Sequence, residues 1–260
     1  MNSSQYEVYA IKYAHHARRA AENFIGGDPH DGPMPLDYFV WLIRGAGQAI
    51  VVDTGFSAAT AARRQRSHLR CPTEGLAFLD VDSRNVKDVV ITHLHYDHVG
   101  NFDLFPAATF HLQDREMHYA TGRHMAQPVF SGAFDVEDVV GMVRNTYAGR
   151  VKFHDGDAQI APGVSVHLIG GHTMGLQVVR VATRRGWVVL ASDASHFYAN
   201  MEQVRPFPIV YNVADMVEGY ARLRALADSP GCIIPGHDPL VLERYPAPSS
   251  ALAGIVARLD

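Results

Sequence analysis

The sequence has few cysteines, no long apolar run and no cluster of basic residues. Its two cysteines, Cys71 and Cys232, lie far apart and form no CxxC pair, so they do not indicate a disulfide framework. No segment approaches the roughly 20 apolar residues of a membrane helix. The N-terminal stretch contains no uninterrupted apolar region of the kind found in signal peptides. We therefore expect a cytoplasmic protein with reduced thiols and no membrane partner.

The charge of the chain is small and acidic. Its formal net charge is −4 at pH 7, and lysine and arginine form no long run. Proteins that bind nucleic acids usually carry a basic patch, so we expect no nucleic-acid partner. The 260 residues are 47% apolar, which allows one sizeable core. No linker divides the sequence, and we expect a single domain over residues 1–260. Whether it forms a homodimer is left open.

Apolar periodicity and turn residues outline the secondary structure. Ser57 is a suitable cap for the first helix. Helices are predicted from 58 to about 69, from 114 onward, over 136–143 and over 213–227. The predicted strands are 6–13, 37–43, 48–53, 86–91, 105–112, 151–154, 158–160, 164–169, 176–182, 187–191 and 232–234.

The densest group of ligand-type side chains is the segment 92–98, which reads THLHYDH and directly follows a predicted buried strand. Neutral imidazole and carboxylate are the ligands that zinc and similar metals prefer. A histidine-rich surface loop would be the alternative. Because four ligand-type side chains follow an apolar strand within six positions, a metal site is the better interpretation.

Three further ligand-type residues, His172, Asp193 and His237, also stand just past the ends of apolar strands. Each alone reads as an ordinary turn residue. Four strand ends that deliver such residues can converge on one edge of a sheet sandwich. The set therefore strengthens the prediction of a metal centre.

At these residues the chain resembles the metallo-β-lactamase-fold hydrolases. The motifs HxHxDH at 93–98, GHT at 171–173, SDA at 192–194 and PGH at 235–237 occur in the family's order. The length, the Asp-Thr-Gly at 53–55 and the segment around Asp193 look most like the N-acyl homoserine lactone lactonases. The resemblance implies an α+β fold, a four-layer αββα sandwich with the metals at one edge of the two sheets.

The resemblance also implies a ligand set for two divalent metal ions. Zinc is expected, and iron, manganese and cobalt stay open because nitrogen and oxygen ligands accept them all. Asp193 would bridge the two ions, and Asp53 would orient the ligand loop through hydrogen bonds. The first metal would be held by His93, His95 and His172, and the second by Asp97, His98 and His237.

The implied reaction is the opening of a lactone ring by a metal-bridging hydroxide, with Asp97 passing a proton to the leaving alkoxide. Related lactonases carry a tyrosine three residues after the bridging aspartate, where this chain has His196. We expect either His196 or Tyr198 to donate a hydrogen bond to the lactone carbonyl.

In the family, the acyl part of the substrate lies between the N-terminal loop and the loop after the bridging aspartate. Here these loops span about 13–41 and 196–212. Arg18, Arg19 and Arg205 are either solvated or paired with a carboxylate or an amide oxygen of the substrate. The predicted apolar contacts are Phe24, Met34, Phe197, Met201 and Phe207.

The sequence therefore predicts a metal-dependent hydrolase that acts on a carboxylic ester bond. The expected substrates are N-acyl homoserine lactones, whose opening is quorum quenching. One alternative is the same chemistry on another lactone, ester or cyclic amide of a catabolic pathway. A second is a metal-binding protein without catalysis, such as a sensor. A lactam-cleaving enzyme is disfavoured, because no cysteine lies near the ligand motifs.

Overall fold

The computed structural model describes residues 5–260, which form two β-sheets flanked by helices. Most strands match the predicted ones to within a few residues. The strands are β1 (Glu7–His16), β2 (Leu36–Gly45), β3 (Gln48–Val52), β4 (Ser67–His68), β5 (Asp88–Val90), β6 (Thr109–Gln113), β7 (Val151–His154), β8 (Ala158–Ala161), β9 (Val164–Leu168), β10 (Gln177–Thr183), β11 (Gly186–Ser192), β12 (Ile233–Pro235) and β13 (Val256–Arg258).

Eight strands form the first sheet, in the order β13-β1-β2-β3-β5-β6-β7 with β4 paired to β1. β3, β5, β6 and β7 run parallel, whereas the β1–β2–β3 part is an antiparallel meander. The second sheet has five strands in the order β12-β11-β10-β9-β8, of which only β11 and β12 pair in parallel.

The helices cover the outer faces of the sheets. They are α1 (Ala58–Arg64), α2 (Pro72–Ala77), α3 (Tyr96–Val99), α4 (Asp114–Ala120), α5 (Pro128–Ser131), α6 (Val136–Tyr147), α7 (Tyr198–Glu202), α8 (Val213–Leu226) and α9 (Leu240–Arg244). Ser57 caps α1 as predicted, because its side chain accepts a hydrogen bond from Thr60 N. The helix ends at Arg64, earlier than expected, because Gln65 adopts a left-handed conformation and the next residues pair with β1 as β4.

Strand alternation in β1 explains the layering. Val8 and Ala10 belong to the core between the two sheets, whereas Tyr9 and Ile11 belong to the core under the helices. Successive side chains of a strand point to opposite faces, so the first sheet is buried on both sides. Helices α1, α2, α4 and α6 pack on its outer face, and α8 packs on the second sheet. The predicted four-layer αββα sandwich is confirmed.

Within residues 5–260, no helix is long and apolar enough to cross a membrane. Cys71 and Cys232 are free thiols. The assignment of the whole chain to one domain stays a prediction.

The strand ends of both sheets meet at one edge. Asp53 follows β3, His93 follows β5, and His172 lies four residues past the end of β9. Asp193 and His237 follow β11 and β12, which run parallel with Ser192 opposite Pro235. Because parallel neighbours end at the same edge, Asp193 and His237 leave the second sheet side by side.

Candidate metal centre

The loops at this edge bring all seven predicted ligands into one buried cluster, together with His196. Each ligand-type residue of the cluster is at most 8% exposed. Three overlapping groups have ligand atoms within 4.8 Å of one another: His93, His95, His172 and Asp193; Asp97, His98 and His237; and Asp193, His196 and His237.

The first group is arranged around His95. Its Nδ1 lies 3.0 Å from Nε2 of His93 and 3.0 Å from Nε2 of His172. Asp193 Oδ2 lies 3.2 Å from Nε2 of His172 and 3.8 Å from Nε2 of His93. Three imidazole nitrogens and one carboxylate oxygen thus face a common point, which is the donor set of a zinc-type ion.

The other oxygen of Asp193 faces the second group. Oδ1 lies 2.9 Å from Nε2 of His237 and 3.4 Å from Nε2 of His98. Asp97 Oδ2 lies 3.7 Å from His98 Nε2 and 3.9 Å from His237 Nε2. Asp193 therefore stands between the two groups, with one oxygen toward each.

Outer contacts fix the tautomers of two of the predicted ring ligands. The Nδ1 atoms of His172 and His237 lie 2.7 Å and 2.9 Å from the carbonyl oxygens of Ile209 and Asp37. A carbonyl oxygen only accepts hydrogen bonds, so Nδ1 of each ring carries the proton. In the neutral rings, Nε2 then presents a lone pair toward the cluster.

These inward lone pairs provide a test of whether the residues fit a metal. His98 Nε2 and Asp193 Oδ1 are buried and have no hydrogen-bond partner within residues 5–260. Buried acceptors that face one another are unfavourable unless a positive charge lies between them. A divalent ion satisfies them all, and the nitrogen and oxygen donors match zinc chemistry. The residues therefore fit such ions.

Burial and neighbouring charges set the protonation of the cluster. Burial lowers the pKa of His93 and His95 well below its usual value, and the adjacent imidazoles add to this effect. Burial opposes ionisation of Asp193, but the imidazoles of His196, His237 and His98 hold its pKa well below the ordinary range. For His98 burial is outweighed by Asp193, Asp97 and Asp53, which raise its pKa. Protons and metal ions therefore compete for the same nitrogen atoms.

Asp53 holds the ligand loop from behind. Its Oδ2 lies 2.7 Å from His98 Nδ1, and its carboxylate also accepts hydrogen bonds from Thr92 N at 2.8 Å and Thr92 Oγ1 at 2.9 Å. Asp53 and Ser192 both have positive φ, 61° and 46°. Such strain costs about 1–3 kcal/mol per residue and is typical of functional sites.

Glu116 is a supporting residue that the sequence did not single out. This fully buried carboxylate in α4 accepts hydrogen bonds from Leu94 N at 2.9 Å, Thr173 Oγ1 at 2.6 Å and Gly175 N at 3.0 Å. It thereby joins the loop after β5 to the loop after β9. A glutamate in the first turn of a helix reads as an ordinary helix-terminus residue, so no sequence signal marked it.

Gly236 leaves room for the bridging carboxylate. A Cβ at this position would lie 2.7 Å from Asp193 Oδ1 and 2.8 Å from the backbone of Ser192. The PGH motif thus needs its glycine because any side chain would displace Asp193.

A cavity of about 140 Å³ opens onto the cluster. Among the predicted substrate contacts, Phe207 lines it, and the Phe207 ring stacks on His196 with 3.7 Å between ring centroids. His196 Nε2 lies 3.0 Å from Asp193 Oδ2, and burial lowers the pKa of His196 to about 3. His196 is therefore in contact with both the cluster and the cavity.

Tyr198 and the other predicted apolar contacts do not line this cavity. Tyr198 begins α7, where its backbone N–H bonds to Asp238 and its ring packs 3.8 Å from the Arg244 guanidinium. Met201 belongs to the core between the sheets. Apolar side chains in loops pack inward for the same reason that core residues do, and sequence alone does not separate the two cases. The remaining three, Phe24, Met34 and Phe197, do not line the cavity either, although Met34 and Phe197 belong to one apolar cluster with the lining residues Leu36 and Phe207.

Other cavity-lining residues were not predicted as site residues. Tyr38 lies in the predicted strand β2, and Tyr96 lies inside the HxHxDH motif. Arg64 and Arg66 come from the end of α1 and the link to β4, where arginines usually face solvent. Leu36 and Ile209 also line the cavity, and so does Arg18, one of the three arginines that the sequence offered as possible substrate partners. The other two, Arg19 and Arg205, do not line it and pair with Asp31 and Asp28.

A sequence model of the family described as Metallo-beta-lactamase superfamily matches residues 34–237, which include every predicted ligand. The chain belongs to the metallo-beta-lactamase superfamily. The two-sheet sandwich and the predicted ligands at its edge thus lie within the part of the chain that matches the superfamily.

Two curated relatives within the superfamily carry lactonase names. The N-acyl homoserine lactonase AttM of Azorhizobium caulinodans is 29% identical over 170 residues, which cover 62% of this chain and 61% of that protein. The N-acyl homoserine lactonase AiiB of Rhizobium rhizogenes is 26% identical over 222 residues, which cover 76% of this chain and 78% of that protein. The match to AttM therefore spans about three fifths of its length.

A solved structure of a quorum-quenching N-acyl homoserine lactone lactonase has the same fold. It superimposes with a TM-score of 0.75 at 21% identity, covering 91% of this chain and 93% of the other. The likeness extends over both sheets of this superfamily member.

Proposed function

We propose that the protein is a dinuclear metal hydrolase that opens the ring of N-acyl homoserine lactones and so quenches quorum sensing. The observation that carries the proposal is Asp193, whose two carboxylate oxygens face two different groups of buried ligands. A single shared carboxylate suits a pair of ions better than one. The names of the curated relatives support the lactone as substrate.

The proposed ligands divide as the sequence suggests, and zinc is the proposed metal because imidazole and carboxylate suit it. Asp193 would be shared between the ions, with Asp53 behind His98. The first ion would be held by His93, His95 and His172, and the second by Asp97, His98 and His237. Ions bound there would supply an activated water and would polarise the lactone carbonyl.

The side chains of the cavity would position the substrate and move the proton. Asp97 lines the cavity and can carry a proton to the oxygen that leaves as the ring opens. The Nε2–H of His196, which lies 3.0 Å from Asp193 Oδ2, would be the donor to the carbonyl oxygen, where negative charge develops in the transition state. Leu36, Phe207 and Ile209 are apolar residues of the cavity lining that would exclude water from the bound substrate.

A panel assay tests the proposed function. Metal-loaded protein is incubated with N-acyl homoserine lactones of several chain lengths, a simple lactone, a linear ester and a cyclic amide, and acid release is followed in a pH-stat. We expect the homoserine lactones to be opened fastest. Faster cleavage of the ester or cyclic amide would favour the alternative catabolic hydrolase. If the fully metal-loaded protein turns over none of these substrates, the alternative of a metal-binding protein without catalysis is favoured.

Three features stay predictions from the sequence. They are a cytoplasmic location, the absence of nucleic-acid and membrane partners, and the state of assembly, for which a homodimer is the form to test.

A further inference from the structure

Three arginines, Arg18, Arg64 and Arg66, line the cavity beside the metal centre. They come from separate parts of the chain: the segment after β1, the last residue of α1 and the link to β4. All three are half-buried. Convergence of three guanidinium groups on one small cavity concentrates positive charge there.

None of the three forms a salt bridge with a carboxylate of residues 5–260. Eight other arginines of the described residues do; Arg44, for example, pairs with Glu7 at 2.8 Å and Arg205 with Asp28 at 3.0 Å. The cavity arginines instead donate to neutral acceptors: Arg18 to Asn23 and the Glu22 carbonyl, Arg64 to the carbonyls of Gly132 and Phe134, and Arg66 to Tyr96 and the Arg64 carbonyl. Their positive charges are therefore held in place but are not neutralised.

One wall of the cavity leads from the metal ligands to Arg18. His196 contacts Asp193 at 3.0 Å and stacks on Phe207 at 3.7 Å. The Arg18 guanidinium lies 5.2 Å from the centre of the Phe207 ring. A substrate that reaches the ligands along this wall must therefore pass beside Arg18.

A second series of contacts leads from His237 to the other two arginines. The Tyr38 ring lies 5.1 Å from His237, and the hydroxyls of Tyr38 and Tyr96 are 3.3 Å apart. Arg66 Nε lies 3.2 Å from the Tyr96 hydroxyl, and the Arg64 guanidinium lies 3.9 Å from the centre of the Tyr96 ring. Tyr96 thus holds both arginines at the cavity.

The carboxylates that line the cavity do not offset this charge. They are Asp97 and Asp193, which face the imidazoles of the ligand cluster. In the proposed function both are metal ligands, and bound ions would add further positive charge. The field inside the cavity therefore favours a negatively charged group.

The size of the cavity indicates where that group lies. Its volume of about 140 Å³ is close to that of a cavity that binds one benzene ring, about 150 Å³. A lactone ring at the ligands leaves its substituent beside the arginines. A long neutral acyl chain there would remove water from the guanidinium groups without offering them a hydrogen-bond partner. Burial of unpaired charge in this way would weaken the binding of such a substrate.

We infer that the preferred substrate is a lactone whose substituent carries a carboxylate, bound by Arg18, Arg64 and Arg66. The inference rests on the proposed function and narrows its substrate class. A planar guanidinium pairs with a carboxylate through two parallel hydrogen bonds, which gives both affinity and orientation.

The test compares two lactones that differ in one terminal group. N-pentanoyl and N-glutaryl homoserine lactone have equally long acyl chains, but the second ends in a carboxylate instead of a methyl group. With the zinc-loaded full chain, we expect kcat/KM to favour the glutaryl compound by roughly 10- to 100-fold, the usual range for charged hydrogen bonds. The preference should shrink in high salt. Equal rates, or a preference for the pentanoyl compound, would overturn the inference and leave the lactonase function intact.

Matched variants assign the preference to the arginines. Arg18→Gln should lower kcat/KM more strongly for the glutaryl lactone than for the pentanoyl lactone, while Arg18→Lys should retain part of the preference. Arg63→Gln is the control, because Arg63 is exposed and pairs with Asp135 outside the cavity. An equal loss on both substrates in Arg18→Gln would contradict a role in charge recognition.

A failure of the lactonase function can be told apart from a failure of the carboxylate preference. If neither compound is opened, the proposed function is wrong. In that case, the dissociation constants of the two lactones, measured by calorimetric titration, still test the preference for a carboxylate. Tighter binding of the glutaryl compound supports the inference, and equal or weaker binding rejects it.

Discussion

Asp53 Oδ2 lies 2.7 Å from His98 Nδ1, and the same carboxylate accepts the backbone N–H of Thr92 at 2.8 Å. One buried side chain thus orients a proposed ligand ring and holds the start of the loop that carries three others. Burial raises the pKa of Asp53, while His98 and Thr92 oppose that shift. The contacts with His98 and Thr92 therefore favour the ionised form of the Asp53 carboxylate.

Removal of the Asp53 charge should weaken metal binding. In Asp53→Asn, His98 loses its charged acceptor, and contacts of this kind are worth roughly 10- to 100-fold in metal affinity. Competition with a chromophoric chelator measures the affinity. Asp88→Asn is a matched control, because Asp88 makes a similar contact with His111 at 3.0 Å away from the cluster. Equal affinities in the two variants would contradict the role of Asp53.

Loss of Asp193 should affect both proposed metal positions. Because its two oxygens face different ligand groups, Asp193→Ala is expected to lose at least one equivalent of metal and nearly all turnover. Elemental analysis of dialysed protein provides the measurement. His111→Ala, in which a buried histidine outside the cluster is lost, should keep the wild-type metal content. If both variants bind equal amounts of metal, the shared position of Asp193 is wrong.

Substitution of His196 should slow ring opening while both metals stay bound. Loss of one transition-state donor costs on the order of 10²–10³ in rate in other enzymes, and the low end is expected here because metal also stabilises the oxyanion. His196→Phe retains the stack on Phe207 without a donor, and His196→Tyr adds a hydroxyl to the same shape. We expect kcat to be higher for His196→Tyr than for His196→Phe, with similar KM.

Tyr198→Phe is the control for this series. The Tyr198 hydroxyl is buried without a hydrogen-bond partner among the described residues, and the residue does not line the cavity. Wild-type turnover is expected. If Tyr198→Phe loses most of its turnover while His196→Phe keeps the wild-type rate, the hydrogen-bond donor is Tyr198 and not His196.

Asp138 should make stability depend on pH. Burial and the nearby Asp135 raise its pKa from 3.8 to about 7. An acid with a raised pKa binds its proton more tightly in the folded state, so stability is lost as pH rises from about 4 to about 7. Asp138→Asn removes this loss. The melting temperature of the variant relative to wild type should therefore rise between pH 5 and pH 8, whereas Glu137→Gln, an exposed neighbour, should show no such trend.

The ligand cluster was predictable because its signal is local. Four of the ligand residues lie within 93–98, and the others follow apolar strands that end at the same edge. Most strands were predictable as well, since alternation in β1 and the short apolar runs of the parallel strands are visible in the sequence, whereas their αββα arrangement was implied by the resemblance to the metallo-β-lactamase-fold hydrolases. Ser57 likewise capped its helix as expected.

The cavity walls were not predictable because distant segments create them. Tyr38 and Tyr96 are 58 residues apart in the chain and meet through their hydroxyls. The first eight residues of β2 are all buried, so a period of two does not tell which face reaches the cavity. Arg64 and Arg66 sit where arginines commonly face solvent, and only tertiary contacts with Tyr96 bring them to the site.

The proposed hydrolase needs two metal ions held around Asp193 for its activity. The decisive measurement is a titration of metal-stripped protein with zinc, in which the opening of an N-acyl homoserine lactone is followed at each step. We expect the rate to rise until two equivalents are bound and then to stay constant. Full activity at one bound equivalent, or no lactone opening with two bound, would contradict this proposal.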